Sequence, residues 1–253
     1  MEIEKRTIPL SDSRDSLDSS RRFVAGITTK SRLELDFFNL YGWLLQYVEG
    51  KKVLDAACGS GLGSFLLAHK AQEVFGIDIS EEAVKYASER YRLSNLKFIR
   101  DDILTYKLPA DHFDVAVSAM TIEQLEAGDH PKFLSILAGS LRPGGLLFIV
   151  TPNKQVASPG IKSPSFHWNK KELYRKELEY ILIKSGFTPV KWFGRRRVPF
   201  FMANRVFKRT FNLIQKISGW NHGFYSTRES PAVKPINFFW QPKDFVAVAR
   251  KSG

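Results

Sequence analysis

Strand and helix signals alternate at the spacing of a doubly wound α/β domain, predicting a mostly parallel seven-stranded sheet with helices on both faces and an insertion before the last strand. Three observations carry that prediction. The apolar run VLDAA at 53–57 meets a turn with Gly at 59, 61 and 63 and passes into Phe65, Leu66 and Leu67, the pattern of strand, tight loop and helix. The alternation then continues through residue 151. Acidic residues close three successive predicted strands, at Asp55, Asp78 and Asp102.

Composition narrows the class. A chain of 253 residues, 43% hydrophobic and 13% aromatic, fills a core, which excludes a disordered protein. The single cysteine, Cys58, excludes an intrachain disulfide framework and a cysteine-only metal site, and fits a reducing, cytoplasmic setting. The first thirty residues lack an apolar signal core and no 18-residue apolar run occurs, so neither secretion nor a transmembrane helix is expected.

In chain order, residues 1–30 read as a polar, mobile arm ahead of a single domain at 31–253. Leu33, Phe37, Leu40, Tyr41, Leu44, Leu45 and Val48 recur at helical spacing and end at Gly50. Tyr41 and Trp43 on that helix are read as packing residues. Strands are expected at 73–77, 97–100, 113–118 and 146–151, and helices at 81–92 and 131–141, with Ser80 as an N-cap. A further helix is expected at 170–184, capped by Asn169 and ended by Gly186. Strands at 188–193 and 245–250 finish the sheet.

Crossovers between parallel strands are right-handed, which puts the ligand crevice at the carboxyl ends of the strands. Glycine tolerates positive φ and a ligand pressed against the main chain, so the turn at 59–63 is read as a ligand loop. Asp78, 17 residues after Gly61, suits a cis-diol, because two carboxylate oxygens match two hydroxyls. An acid at 102 suits an exocyclic amine. The dinucleotide fingerprint requires Gly at 64, where Ser64 stands, and no phosphate-loop GK[ST] occurs.

Over residues 53–153, VLDAACGSG, GIDIS, RDDIL, FDVAVSAMTIEQL and LRPGGLLFIVTPN resemble the motifs of S-adenosylmethionine-dependent methyltransferases of the Rossmann-like class, particularly small-molecule or polysaccharide-modifying members. The resemblance implies a cofactor site of Asp55, Ala57, Gly59, Ser60, Gly61, Asp78, Ile79, Asp102, Ile103 and Ser118, with S-adenosyl-L-methionine as cofactor and S-adenosyl-L-homocysteine as product. Ala57 stands where many members have glycine. Some metal-assisted relatives carry EVIEHL after the fourth strand; Met120, Glu123 and Gln124 stand at the matching positions, so no metal is expected. Glu123 remains a candidate base or hydroxyl-orienting group. By likeness to members with a Phe-His pair after the fifth strand, His167 is the candidate base near the acceptor.

The last third is unusual. No Asp or Glu occurs from 180 to 228, while ten cations do, among them Arg195, Arg196, Arg197, Arg205, Lys208, Arg209 and Lys216. A one-sign segment of this length points to an anionic partner. About fifty residues, 194–243, separate the last two strands, and residues 200–218 set Ala203, Phe207, Phe211, Ile214 and Ile217 opposite a basic face. This basic, aromatic insertion is read as a lid over a small or lipid-linked anionic acceptor. Peripheral membrane contact through 195–217, or phosphate contact with RNA, compete with it.

The reaction expected from the resemblance is methyl transfer to a hydroxyl of a sugar-like or phosphate-bearing acceptor. An RNA or a membrane-associated lipid or quinone methyltransferase is the alternative within the class. A nicotinamide-dependent oxidoreductase and a non-catalytic cofactor-binding adaptor are the alternatives outside it.

Overall fold

The computed structural model describes residues 32–160, 164, 167–199, 204, 206, 210, 233–236 and 240–253. It opens with α1 (Arg32–Val48), whose Leu40, Tyr41, Leu44 and Val48 are buried at the predicted helical spacing. The alternation follows as β1 (Lys52–Ala56), α2 (Leu62–Ala68), β2 (Glu73–Asp78), α3 (Glu81–Arg90), β3 (Leu96–Arg100), β4 (Phe113–Ala119), α4 (His130–Ser140) and β5 (Leu141–Pro152). A short α5 (Lys154–Ala157) and α6 (Arg175–Lys184) precede β6 (Phe187–Pro199), β7 (Lys234–Pro235) and β8 (Trp240–Lys251).

The described strands form one sheet in the order β3-β2-β1-β4-β5-β8-β6-β7. The first five are parallel, and β8, β6 and β7 are antiparallel to their neighbours. The expected seven strands are joined by the two-residue β7, which makes eight.

Alternate strand residues build the two faces. Val53, Val74, Val115, Val117, Phe148 and Val248 pack with Leu40, Leu44 and Leu67 of α1 and α2. Leu54, Ile77, Ala116, Leu147, Ile149 and Ala247 pack with Phe133, Leu137, Leu178 and Leu182 of α4 and α6. A strand buried on both sides carries apolar residues at both parities, which explains the near-continuous apolar runs.

Several boundaries depart from expectation. Ser80 caps α3, its hydroxyl accepting from the Ala83 N–H at 3.2 Å, but the helix stops at Arg90 because Tyr91 is extended and stacks on Phe65 at 4.7 Å. Helix α6 starts at Arg175, not Lys170, since Asn169 donates instead to the Glu172 carboxylate at 3.2 Å. The Tyr174 N–H is taken by the Glu177 carboxylate at 2.7 Å. The arms of the β6–β8 hairpin run to Pro199 and from Trp240, deeper into the segment 194–243 than expected. The arm at 1–30 lies outside the described residues, as does the basic helix expected at 200–218 apart from residues 204, 206 and 210.

Two cations of the acid-free stretch have inward partners. Arg195 donates to Asp244 Oδ2 at 3.1 Å and to the Asp36 carbonyl of α1 at 2.9 Å. Arg196 grips both Asp244 oxygens, at 2.8 and 2.6 Å. Successive strand residues normally point to opposite faces. Arg196 has a left-handed φ of 51°, which lets both guanidinium groups reach one carboxylate. Burial would raise the Asp244 carboxyl, but the two arginines outweigh it and hold the group below its ordinary value. Both charges are paired within the fold.

Candidate active site

The turn after β1 reads differently glycine by glycine. Gly61 has φ 80°, and a Cβ there would meet Ala87 Cβ at 2.6 Å and Phe98 Cζ at 2.7 Å. A Cβ on Gly63 would lie 2.2 Å from Tyr41 Cζ. These two positions are glycine because α3, β3 and α1 press on them. Gly59, with φ 55°, has nothing within 4 Å of where a Cβ would stand, and is the glycine that leaves bare backbone facing open space.

The loop is tied to the neighbouring strand. Gly59 donates its N–H to Asp78 Oδ2 at 2.8 Å, Ser80 donates to Asp78 Oδ1 at 2.9 Å, and Cys58 donates to the Ile77 carbonyl at 3.0 Å. Asp78 thus sits at the end of β2 and against the turn after β1 at once. Ile79 beside it is 56% exposed, a large apolar side chain left to solvent at the crevice. Asp102 follows β3, its Oδ1 accepting from the Leu104 N–H at 2.9 Å. The structure therefore brings Gly59, Asp78, Ile79 and Asp102 to adjacent strand ends.

Other members of the expected set lie beneath that surface. Asp55 is buried, accepting from the Ser64 hydroxyl at 2.7 Å and the Tyr41 hydroxyl at 3.4 Å. Burial, opposed by those two hydroxyls, raises its pKa to about 6. Ser60 is buried, as is Asp78, each 5% exposed, and Ile103 packs in the core cluster with Leu54 and Ile77. At the end of β4 the Ser118 hydroxyl is buried without a hydrogen-bond partner.

Two non-glycine residues adopt left-handed backbone at the carboxyl ends of the adjacent strands β1 and β4, Ala57 at φ 61° and Met120 at φ 59°. Such strain, of order 1–3 kcal/mol per residue, persists only where surrounding contacts impose it. Met120 is held by its N–H on the Val150 carbonyl at 2.7 Å and by Gln124 Nε2 on its own carbonyl at 2.6 Å.

Glu123 lies in a 3₁₀ turn, Ile122–Gln124, and is 1% exposed. One oxygen accepts from the Thr151 hydroxyl at 2.9 Å, and the other has no hydrogen-bond partner. Burial pushes its pKa up to about 8, so the carboxyl is neutral at pH 7. Its carbonyl accepts from Lys170 and Lys171 N–H at 2.7 and 3.0 Å, which ties the segment bearing His167 to the end of β4. His167 is exposed and lies edge-on to Trp168, ring centroids 4.8 Å apart. Among the described residues no group of three or more His, Cys, Asp or Glu is placed to hold a metal ion.

A family model described as a methyltransferase domain matches residues 53–145, the stretch from β1 to the turn within β5. The chain carries a Rossmann-like methyltransferase domain. It is similar to a probable S-adenosylmethionine-dependent methyltransferase of Mycobacterium tuberculosis, 34% identical over 155 residues, covering 61% of this chain and 55% of that relative. It is also similar to a ubiquinone biosynthesis O-methyltransferase of Idiomarina loihiensis, 37% identical over 114 residues, 43% of this chain and 45% of the other. The chain spans about half the length of the first curated relatives it matches, at 55 to 56%. The crystal structure of a SAM-dependent methyltransferase from Archaeoglobus fulgidus shares the fold, with a TM-score of 0.60 at 20% identity, covering 87% of this chain and 95% of that one.

The residues of the methyltransferase domain fit a nucleoside-bearing cofactor. Gly59 leaves backbone open, Ile79 offers an exposed apolar surface beside the Asp78 carboxylate, and the Ser118 hydroxyl lacks a partner. Thr151 and Glu172 escaped attention in the sequence, and Tyr41 is read there for its packing but not for the bond of its hydroxyl to Asp55. Tyr41 carries its signal only through helical periodicity, and buried polar residues such as Thr151 and Glu172 look like surface residues until the fold encloses them.

Proposed function

We propose that the chain is an S-adenosylmethionine-dependent methyltransferase that methylates a hydroxyl of a small or lipid-linked, sugar-like or phosphate-bearing acceptor. The observation that carries the reading is the 2.8 Å hydrogen bond from Gly59 N–H to Asp78, which joins the open glycine to the carboxylate at the next strand end. A carboxylate accepts about four hydrogen bonds, so a group that anchors the loop also suits ribose hydroxyls. Asp102 and Ile79 would take the adenine side, with Ser118 near the other end of the cofactor. The relatives named as methyltransferases support methyl transfer rather than a nicotinamide-dependent reaction.

S-adenosylmethionine supplies an activated methyl group on a sulfonium, so the protein is left with positioning, exclusion of water and handling of the hydroxyl proton. His167 is the group suited to take that proton, as an exposed imidazole on the segment tied to the end of β4. Glu123, neutral at pH 7, suits hydrogen bonding to an oxygen better than proton removal. No helix among the described residues is long and apolar enough to cross a membrane. The single cysteine fits a cytoplasmic setting for the enzyme.

Calorimetric titration with S-adenosylmethionine and S-adenosylhomocysteine tests the cofactor assignment. Both are expected to bind, and Asp78→Ala to weaken both by about tenfold or more. Binding of NADH with no binding of either sulfur compound would sink the reading in favour of an oxidoreductase. Binding without turnover across hydroxyl acceptors would leave an adaptor.

A further inference from the structure

A cleft of about 460 Å³ lies between the end of α3 and the start of β3, the strand at one edge of the described sheet. Leu96 and Lys97 open β3, so the cleft stands at the amino end of that strand, whereas Asp78 and Asp102 stand at or beyond carboxyl ends. Its volume falls within the roughly 300–1,000 Å³ that small-molecule sites span.

The apolar part of the lining is Tyr91, Leu93, Leu96 and Phe98, all buried or half-buried. These residues are held from behind. A Cβ on Gly61 or Gly76 would meet the Phe98 ring at 2.7 and 2.9 Å, so that ring is seated against two stretches of bare backbone. Tyr91 stacks on Phe65 of α2 at 4.7 Å. The turn between them is pinned as well, since Asn95 Nδ2 donates to the Ala68 and Ala71 carbonyls at 2.8 and 3.0 Å and Leu96 N–H donates to the Leu93 carbonyl at 3.1 Å. A floor fixed in this way takes a ligand with little ordering cost.

The rest of the lining is exposed and polar: Ser88, Arg92, Ser94 and Lys97. It contains two cations and no acid. From Arg90 to Arg100 the chain carries Arg90, Arg92, Lys97 and Arg100 with no Asp or Glu among them. Neither Arg92 nor Lys97 enters a salt bridge among the described residues. Cations of one sign around a preformed apolar floor favour a negative group joined to an apolar body.

We propose that this cleft is a binding site, separate from the cofactor crevice, for a small organic anion. Its apolar body lies on Leu93, Leu96 and Phe98, and its carboxylate or phosphate is received by Arg92 and Lys97, with the Ser88 and Ser94 hydroxyls as further donors. A fatty carboxylate and an aryl phosphate present the same chemistry, an apolar body with one anionic end.

Octanoate and phenyl phosphate are titrated calorimetrically into the full chain, with 1-octanol and phenol as neutral counterparts. At least one anion is expected to bind about fivefold or more tighter than its counterpart at low salt. Added salt should shrink that advantage. Arg92→Gln combined with Lys97→Gln should remove it while the thermal transition stays in place. Ser88→Trp, at an exposed helix position, should fill the cleft and abolish binding of the probe. The anion that binds tells a fatty carboxylate from an aryl phosphate. Excess S-adenosylhomocysteine should leave the bound probe in place, and displacement would move the probe to the cofactor crevice and overturn the assignment. Binding by neither anion, or binding that survives Ser88→Trp, overturns it as well.

Discussion

The ring of Tyr41 occupies the space that a side chain on Gly63 would need, with Tyr41 Cζ 2.2 Å from where the Cβ would stand. Helix α1 thereby seats on the start of α2, and the Tyr41 hydroxyl reaches Asp55 beneath the glycine turn at 3.4 Å.

Gly63→Ala should therefore destabilise the fold by about 1–3 kcal/mol, the ordinary range for overpacking. Tyr41→Phe keeps the ring and loses only a long hydrogen bond, so its effect should stay under about 1 kcal/mol. Urea denaturation of the two variants checks the order. A milder effect for Gly63→Ala than for Tyr41→Phe would contradict the close packing.

Glu123 should make stability fall as pH rises. Its carboxyl lies at about 8 in the fold against an ordinary 4.5, because burial disfavours the charged form. A raised acid stabilises the fold fully below its unfolded pKa, and that contribution is lost as pH climbs through the folded value. Asp55, raised from 3.8 to about 6, acts with the same sign over a lower window. Thermal unfolding of the parent chain should weaken from pH 5 to about pH 9. Glu123→Gln, which cannot ionise, should lose the part of that decline that extends from above pH 6 toward pH 8. Parallel profiles for parent and variant would contradict the buried, neutral carboxyl.

Ala57 holds φ 61°, a conformation that costs an L-residue roughly 1 kcal/mol or more. Ala57→Gly should raise stability by up to about 1 kcal/mol, the gain being reduced by the greater freedom of glycine in the unfolded chain. Affinity for S-adenosylhomocysteine should be nearly unchanged, since the backbone path is retained. Denaturant unfolding and calorimetry on the same preparation test both halves of the expectation.

Asp244→Asn leaves the buried Arg195 and the partly buried Arg196 beside a neutral amide and should cost about 3–5 kcal/mol. Arg196→Met should cost less, because Arg195 still neutralises the carboxylate. The pair of unfolding free energies decides whether the node is structural. A loss for Arg196→Met that exceeds the loss for Asp244→Asn would mean that Arg196 acts elsewhere.

Much of the fold was legible because periodicity is local. The two-sided apolar runs of β4 and β5, the Ser80 cap and the Pro-Gly-Gly turn at 143–145 all announce themselves within a few residues. The start of α6 was not legible, because Asn169 has the chemistry of a cap but finds its partner in the buried Glu172. The acid-free stretch invited an anionic partner for Arg195 and Arg196. Their shared acid stands 49 and 48 residues further on at Asp244, and Arg196 also lies 3.9 Å from the Asp36 carboxylate far back in α1.

The order of strands and helices and the acids at successive strand ends were written in the chain itself, since side-chain period and turn chemistry act between near neighbours. Tertiary structure alone decided that Gly59 faces open space while Gly61 and Gly63 make room for Ala87, Phe98 and Tyr41. It also decided that Asp55 and Ile103 turn inward while Ile79 stays exposed. The physical reason is common to both. What stands against a residue is set by packing between elements distant in sequence, which no pattern local to the chain displays.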